Sequence, residues 1–335
     1  EEKVMINQQY IGHLKGLKLD LDFKSDALDT DVKSLKKAAR QNVSPEIIKR
    51  ISQIIDTGLI RLNDDFKIYW KNYPIAKLIP GLDYLNPQIN LIIDDMIEYD
   101  EKIKLSTYLQ KWINDKIKID LRSLLDLKNI KEKNSELRAL SYHLYENNGV
   151  VKRENVSTYL NKLNQEERSK LRKIGVKFGR YHIFLFKLFK PNAVSLRILL
   201  WKIFNEKDFN LFPPTFGLNF LEDKEKINKD FMLLCGFEKF DNFFVRIDIL
   251  ERLFILILNS NKNDEIKLIS EMLNLLGSNK ENFIKLLQKM NYKTYNKGED
   301  VYFRYLSNRK NIRRKEKLIN RTDNPFKILG QLNLK

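Results

Sequence analysis

EIKLISEMLNLLGSNKENFIKLLQKMNYKTYNKGEDVYFRYL, residues 265–306, changes its period half-way along. Apolar residues from Glu265 to Leu276 recur at three and four, the spacing of one helix face, and Gly277 supplies a left-handed stop. Lys280 to Met290 repeats the helical pattern. From Tyr292 to Leu306 the period shortens to two, which predicts a hairpin with Asn296-Lys297-Gly298 at its tip. Helix, turn, helix and hairpin in succession predict a winged-helix-like module over residues 261–308. That order puts Lys285 and Lys289 on the second helix beside Lys293, Lys297 and Arg304 on the hairpin, next to Tyr295, Tyr302 and Tyr305. Cations interleaved with aromatics suit phosphate contact combined with base stacking. The plainer reading is a small structural module with ordinary surface lysines.

Charge gathers in this module and in one other segment. The 335 residues carry 61 Lys and Arg against 44 Asp and Glu, a formal charge of +17. Lys285 to Arg321 holds twelve cations and three acids, and Lys170 to Lys207 holds ten cations and one acid, so each window is +9 and the remainder is near neutral. Two cationic segments on a balanced chain fit a surface for a polyanion, because phosphate contacts need Lys and Arg on one face. Abundant Asn, Ile and Lys would equally follow from a compositional bias. The run RKNIRRKEK, Arg309 to Lys317, reads as a flexible basic arm in which Arg313, Arg314 and Lys315 add salt-dependent affinity without sequence choice.

Upstream, residues Val4 to Leu21 alternate as a hairpin turned at Asn7 to Gln9. Asp31 opens one helix, and Ser44-Pro45 with Glu46 reads as the cap and first turn of a second that Gly58 closes. FKIYWKNYPIAKLIPGLDYL, from Phe66, predicts another hairpin turned at Lys71-Asn72. Ile11 to Leu14 and Ile75 to Leu78 align at an offset of 64 residues, a candidate internal repeat within residues 1–128. From Asn86-Pro87 the pattern turns helical: Ile89, Ile92, Ile93, Met96 and Ile97, then Leu105, Leu109, Trp112, Ile113 and Ile117, with Ser106 and Thr107 at a helix start. Residues 129–260 read as a helical domain broken at Asn147-Asn148-Gly149. It holds a basic segment, GVKFGRYHIF, in which Gly179 interrupts a strand as at a bulge or a close backbone approach. Val194 to Phe204 is an apolar helix with Arg197 and Lys202 at one edge, Lys224 to Leu234 another helix, and EKFDNFFVRI a hairpin turned at Asp241-Asn242 before a helix from Asp248. The class is mainly α with small β-hairpins, an α+β chain of helical bundle modules, ending in a basic arm over 309–335. Lys173, Lys177, Arg180, Lys187 and Lys190 form the first phosphate-contacting patch.

Several chemistries lack their residues. Neither GxxxxGK[ST] nor a strand-borne GxGxxG occurs, and one cysteine with three scattered histidines offers no zinc spacing. Cys235, without a charged sequence neighbour, reads as a buried small hydrophobe, and His182 as a hydrogen-bonded core residue. Asp64-Asp65 and Asp94-Asp95 read as turn or cap carboxylates. The longest apolar run, Leu253 to Leu258, is far short of the ~20 residues that cross a bilayer. With no basic leader or h-region at the start, the cytoplasm is the default compartment, and no membrane partner is expected.

Residues 173–204, KIGVKFGRYHIFLFKLFKPNAVSLRILLWKIF, carry a resemblance. They are similar to the carboxy-terminal signature of bacterial proteins related to the mitochondrial-degradosome-type RNA helicases of superfamily 2 (DExH). There the pattern runs close to LRKLGVRFG-YHI, then LLKP and an LLW helix. VRIDILERL at Val245 to Leu253, the Lys289 to Tyr292 region and DNPFKIL at Asp323 to Leu329 extend the likeness, as do IGHLKGLKL and YPIAKLIPG. The resemblance implies an ATP-dependent RNA helicase whose motor domains, with their ATP and Mg, precede Glu1. No position here matches the nucleotide-binding or DExH residues. The chain alone would then need no cofactor and catalyse nothing, its partners being single-stranded RNA or DNA and the motor domains of the same polypeptide. The competing reading is a protein–protein scaffold that docks a nuclease or a ribosome.

Overall fold

The computed structural model describes residues 2–6, 9–21, 29–130, 134–205, 211–223, 226–260 and 265–306. Helices and small antiparallel sheets alternate along the chain, a mixed α+β architecture. It divides into two compact units, Glu1–Phe216 with Asn228–Gly236 and Gly217–Ile227 with Phe237–Lys335.

The first unit begins with a meander, β1 (Glu2–Ile6), β2 (Gln9–Lys15) and β3 (Lys18–Leu21), with β2 in the centre. Gly16, at φ 61°, turns β2 into β3, so two hairpins stand where the alternation predicts one. Helix α1 (Asp29–Thr57) then runs unbroken through Pro45. The expected boundary at Ser44-Pro45 is corrected by packing: Ala39, Val43, Ile47, Ile51 and Ile54 form one buried stripe across the proline. Pro45 removes only the bond to the exposed Gln41 carbonyl, which water can satisfy, while Ser44 Oγ donates to Arg40 O at 2.9 Å.

β4 (Ile60–Leu62), β5 (Lys67–Trp70), β6 (Tyr73–Ile79) and β7 (Gln88–Leu91) form a second meander in sequential order. Ile11–Leu14 lies in β2, the central strand of three, and Ile75–Leu78 in β6, the third strand of four, and a long helix follows each sheet. The helix expected from Asn86 starts instead at Tyr99, as α2 (Tyr99–Asp120), and Ser106 and Thr107 lie inside it. Ile89 mimics helical spacing but pairs with Leu78 in the sheet. The second half of that stripe holds: Leu105, Leu109, Ile113 and Ile117 are buried, and Trp112 packs half-buried on the core. Each such side chain contributes roughly 1.5–3 kcal/mol by leaving water.

The unit continues with α3 (Arg122–Lys128), α4 (Ser135–Glu146), β8 (Val150–Lys152), α5 (Ser157–Lys162), α6 (Gln165–Ile174), β9 (Val176–Phe178), β10 (His182–Leu185), α7 (Pro191–Asn205) and α8 (Lys229–Leu234). Asn164 caps α6 in a capping box with Glu167, and Gly175, at φ 113°, ends it. Gly179 belongs to the β9–β10 turn rather than to a bulge, its N–H donating to His182 O at 2.8 Å. α8 begins at Lys229 with Asn228 as its cap, later than expected.

The second unit holds β11 (Phe220–Glu222), β12 (Phe237–Phe240), β13 (Phe243–Arg246), α9 (Ile247–Asn259), β14 (Ile266–Lys267), α10 (Ser270–Leu276), α11 (Lys280–Lys289), β15 (Tyr292–Lys297) and β16 (Asp300–Tyr305). β14 occupies residues expected as the first turn of a helix, because Ile266 buries against Phe303 of β16. One succession occurs twice in the chain. Helix, strand, two helices and hairpin run from α4 to β10 and again from α9 to β16, and in both sheets the first strand pairs with the last: β8-β10-β9 and β14-β16-β15.

Candidate nucleic-acid interface

The register of β14, β15 and β16 sorts their side chains by face. Phe303 opposes Thr294 and Ile266 on the inner face, where it packs edge-on against Phe283 of α11 at 6.4 Å and against Tyr292 at 5.6 Å. Alternation sends the next residues outward. Lys293 faces Arg304, Tyr295 faces Tyr302, Lys297 faces Asp300, and Lys267 of β14 lies beside Tyr302. Tyr295 and Tyr302 stack, with centroids 6.3 Å apart and planes 19° from parallel. Lys297 Nζ stands 5.2 Å from the Tyr302 centroid and 5.7 Å from that of Tyr295.

Two carboxylates temper these four cations. Lys297 Nζ lies 2.5 Å from Glu265 Oε2, and Lys267 Nζ 2.5 Å from Asp300 Oδ2. The hydrogen bond from Lys297 holds the Glu265 carboxyl below its ordinary range and the Lys297 ammonium above its own. Lys293 and Arg304 are exposed and take part in no ion pair among the described residues. Lys285 does not join this face. Two residues on from Phe283, it sits about 200° around α11 from the side chain that meets the sheet. Lys289 is engaged elsewhere, 2.5 Å from Asp241 at the β12–β13 turn. Lys267 is the member that sequence reasoning missed, since β14 carries no alternation of its own and reads as the start of α10.

The other patch lies where α6 meets β9. Lys173 in the last turn of α6, Lys177 on β9, Arg180 in the turn, and Lys187 and Lys190 beyond β10 are all exposed. A Cβ added to Gly175 would stand 3.9 Å from Lys187 Cδ, so Lys187 is folded back onto the corner that Lys173 and Lys177 flank. The Arg172 guanidinium lies 5.4 Å over the Phe178 ring. Arg313, Arg314 and Lys315 lie outside the described residues, as does the Asp323 to Leu329 stretch.

Arg197 and Lys202, expected at a helix edge, are interior. Arg197 is wholly buried and donates to Asn148 O at 2.8 Å, Leu188 O at 2.7 Å and Leu234 O at 2.9 Å. Burial lowers its pKa to about 10. Lys202 Nζ donates to Leu211 O at 2.5 Å. Cys235 is buried, as expected, and its thiol is pushed up to about 12 by desolvation. His182 is 3 % exposed within β10. Asp94 pairs with Arg40 at 3.5 Å and accepts from the Met96 N–H, a turn carboxylate. Asp65 accepts likewise from the Lys67 N–H. No group of three or more His, Cys, Asp or Glu side chains among the described residues could hold a metal ion.

No family model, curated protein or solved structure matches the chain.

Proposed function

We infer that this chain binds single-stranded nucleic acid as an accessory region of an ATP-dependent RNA helicase, holding the strand rather than driving it. The outer face of β14–β16 carries the reading: a stacked tyrosine pair among four cations and two acids. An open π-surface takes a base of any identity, and the cations around it take phosphates on either side. The order of elements from α9 to β16, with the first strand paired to the last, supports a winged-helix reading of this module. The helicase context rests on the resemblance of residues 173–204 and 245–253. In that reading the motor domains bind ATP and Mg, and this chain contributes neither.

Anisotropy titration of a labelled oligouridylate tests the binding. The slope of log K against log salt should be steep, and Lys293→Gln with Arg304→Gln should flatten it by about 1.4, two single-strand phosphate contacts at ~0.7 each. A slope identical to the parent's would remove the face from the interface. Salt-insensitive protein capture with no oligonucleotide affinity would replace the reading with the scaffold.

A further inference from the structure

The β4–β7 meander also has an open face. Ile60, Leu62, Ile68, Trp70, Ala76, Leu78, Ile89 and Leu91 turn inward and pack on or within the core. Their neighbours alternate outward. Arg61 is paired with Tyr69, Lys67 directly with Lys77, Lys77 with Asn90, and Ile79 with Gln88. Arg61, Lys77, Asn90 and Gln88 are exposed and Tyr69 is half-buried. The Arg61 guanidinium carbon lies 5.9 Å from the Tyr69 centroid. Tyr69 is held by its hydroxyl, which donates to Asp65 Oδ2 at 2.7 Å, and Lys67 Nζ lies 3.4 Å from the same oxygen.

Lys67 opposite Lys77 is the informative feature. Like charges directly across an antiparallel pair destabilise it. Asp65 is the only acid that the hydrogen bonds and ion pairs place at this face among the described residues, and it meets only one of the two lysines. Charge complementarity therefore calls for an anion above the pair. A fixed aromatic ring beside it, an arginine, and two exposed amides able to meet base edges define the rest.

We propose that the outer face of β4–β7 is a second binding site for single-stranded nucleic acid, in which a base stacks on Tyr69 and backbone phosphates lie on Arg61, Lys67 and Lys77. It shares a ligand class with the terminal hairpin and none of its residues, so either can fail alone.

The test uses the full chain and a 5-bromouridine-substituted oligouridylate. Irradiation should attach it to the tryptic peptide Ile68–Lys71, and Tyr69→Ala should remove that crosslink and weaken binding about tenfold, while Tyr69→Phe retains both. Lys67→Gln with Lys77→Gln should weaken binding about fivefold while the thermal midpoint stays level or rises, since a repulsion is relieved. A fall in affinity without a fall in stability separates a binding role from a folding one. The hairpin variant Lys293→Gln/Arg304→Gln should keep the Ile68–Lys71 crosslink. Crosslinks confined to residues 293–304 would overturn this site and leave the hairpin reading standing. Lys67- and Lys77-dependent sedimentation with phosphatidylglycerol vesicles, without an Ile68–Lys71 crosslink, would also overturn it and assign the face to lipid headgroups.

Discussion

The segments α4–β10 and α9–β16 share a succession of elements and a strand order, yet present opposite outer surfaces. Their registers align on Ile183, paired with Val151 and Phe178, and on Phe303, paired with Ile266 and Thr294. One step along, Phe184 and Lys177 stand where Arg304 and Lys293 stand. One step back, His182 and Lys152 stand where Tyr302 and Lys267 stand. In the first sheet Phe184 stacks on Phe189 at 5.3 Å, and His182 and Val150 are buried. In the second, nothing comparable covers Tyr302 among the described residues, and the flanking cations are exposed. The same backbone thus yields a packed layer or a ligand-sized surface according to what lies on its outer face.

Arg197 clamps the cover of the first sheet, and removing it should have the largest effect. Its guanidinium ties α7 to Asn148 before β8, to Leu188 beyond β10 and to Leu234 at the end of α8. Arg197→Met keeps most of the volume but leaves three carbonyls without these donors. Buried unsatisfied acceptors at ~1–3 kcal/mol each give a loss of about 4 kcal/mol, read as a lower urea midpoint with unchanged m-value. A loss below 1 kcal/mol would mean water replaces the clamp.

Gly236 tests the same cover from its other side. Its φ is 90°, and an added Cβ would come within 3.0 Å of Phe189 Cδ1, the ring that lies on Phe184. Gly236→Ala should cost about 1–2 kcal/mol through left-handed strain and displacement of that ring. Gly298→Ala shares the strain, with φ 62°, but meets no atom within 4 Å. It should therefore cost less by chemical denaturation, and equal losses would exclude Phe189 from the effect.

Lys177 and Lys293 occupy equivalent positions and sharpen the functional side of the comparison. Lys293 has Arg304 across the strand, whereas Lys177 has the covered Phe184. Lys293→Gln should therefore weaken oligouridylate binding severalfold, and Lys177→Gln by no more than about twofold. Equal losses would mean that the α6–β9 corner is as much a part of the interface as the hairpin.

Local signals were legible where each decided itself. The left-handed stop at Gly277, the turns at Lys71-Asn72 and Asp241-Asn242, and the stripe from Leu105 to Ile117 all stand in the structure. Pro45 misled because a stripe contributed by distant partners overrides one missing hydrogen bond. Short edge strands misled because β8 and β14 hold three and two residues, too few for a period. Missing β14 hid Lys267 and Glu265, which only the sheet brings to Tyr302 and Lys297. Arg197 was illegible for a similar reason: a cation on an apolar helix reads as an edge unless the three carbonyls that receive it are known. The Lys67–Lys77 opposition depends on register, which an irregularity between Ile68 and Tyr69 shifts.

Glu265 gives the smallest and most specific effect. On the open face it is one of two acids among four cations, and its partner Lys297 is the cation that hangs over both stacked tyrosines. Glu265→Gln removes one negative charge and frees Lys297 for phosphate, so affinity for oligouridylate should rise about twofold at 0.1 M salt and less at higher salt. The pH dependence has a definite sign. Because Lys297 holds the folded Glu265 carboxyl below its ordinary 4.5, the pair's contribution to stability is present above that value and is lost as pH falls through the lowered one. Protonation there imitates the substitution, so the affinity gap between parent and Glu265→Gln should be constant near neutrality and close only in acid, below the ordinary 4.5 of the carboxyl. A gap that persists in acid would show that the gain comes from something other than the release of Lys297.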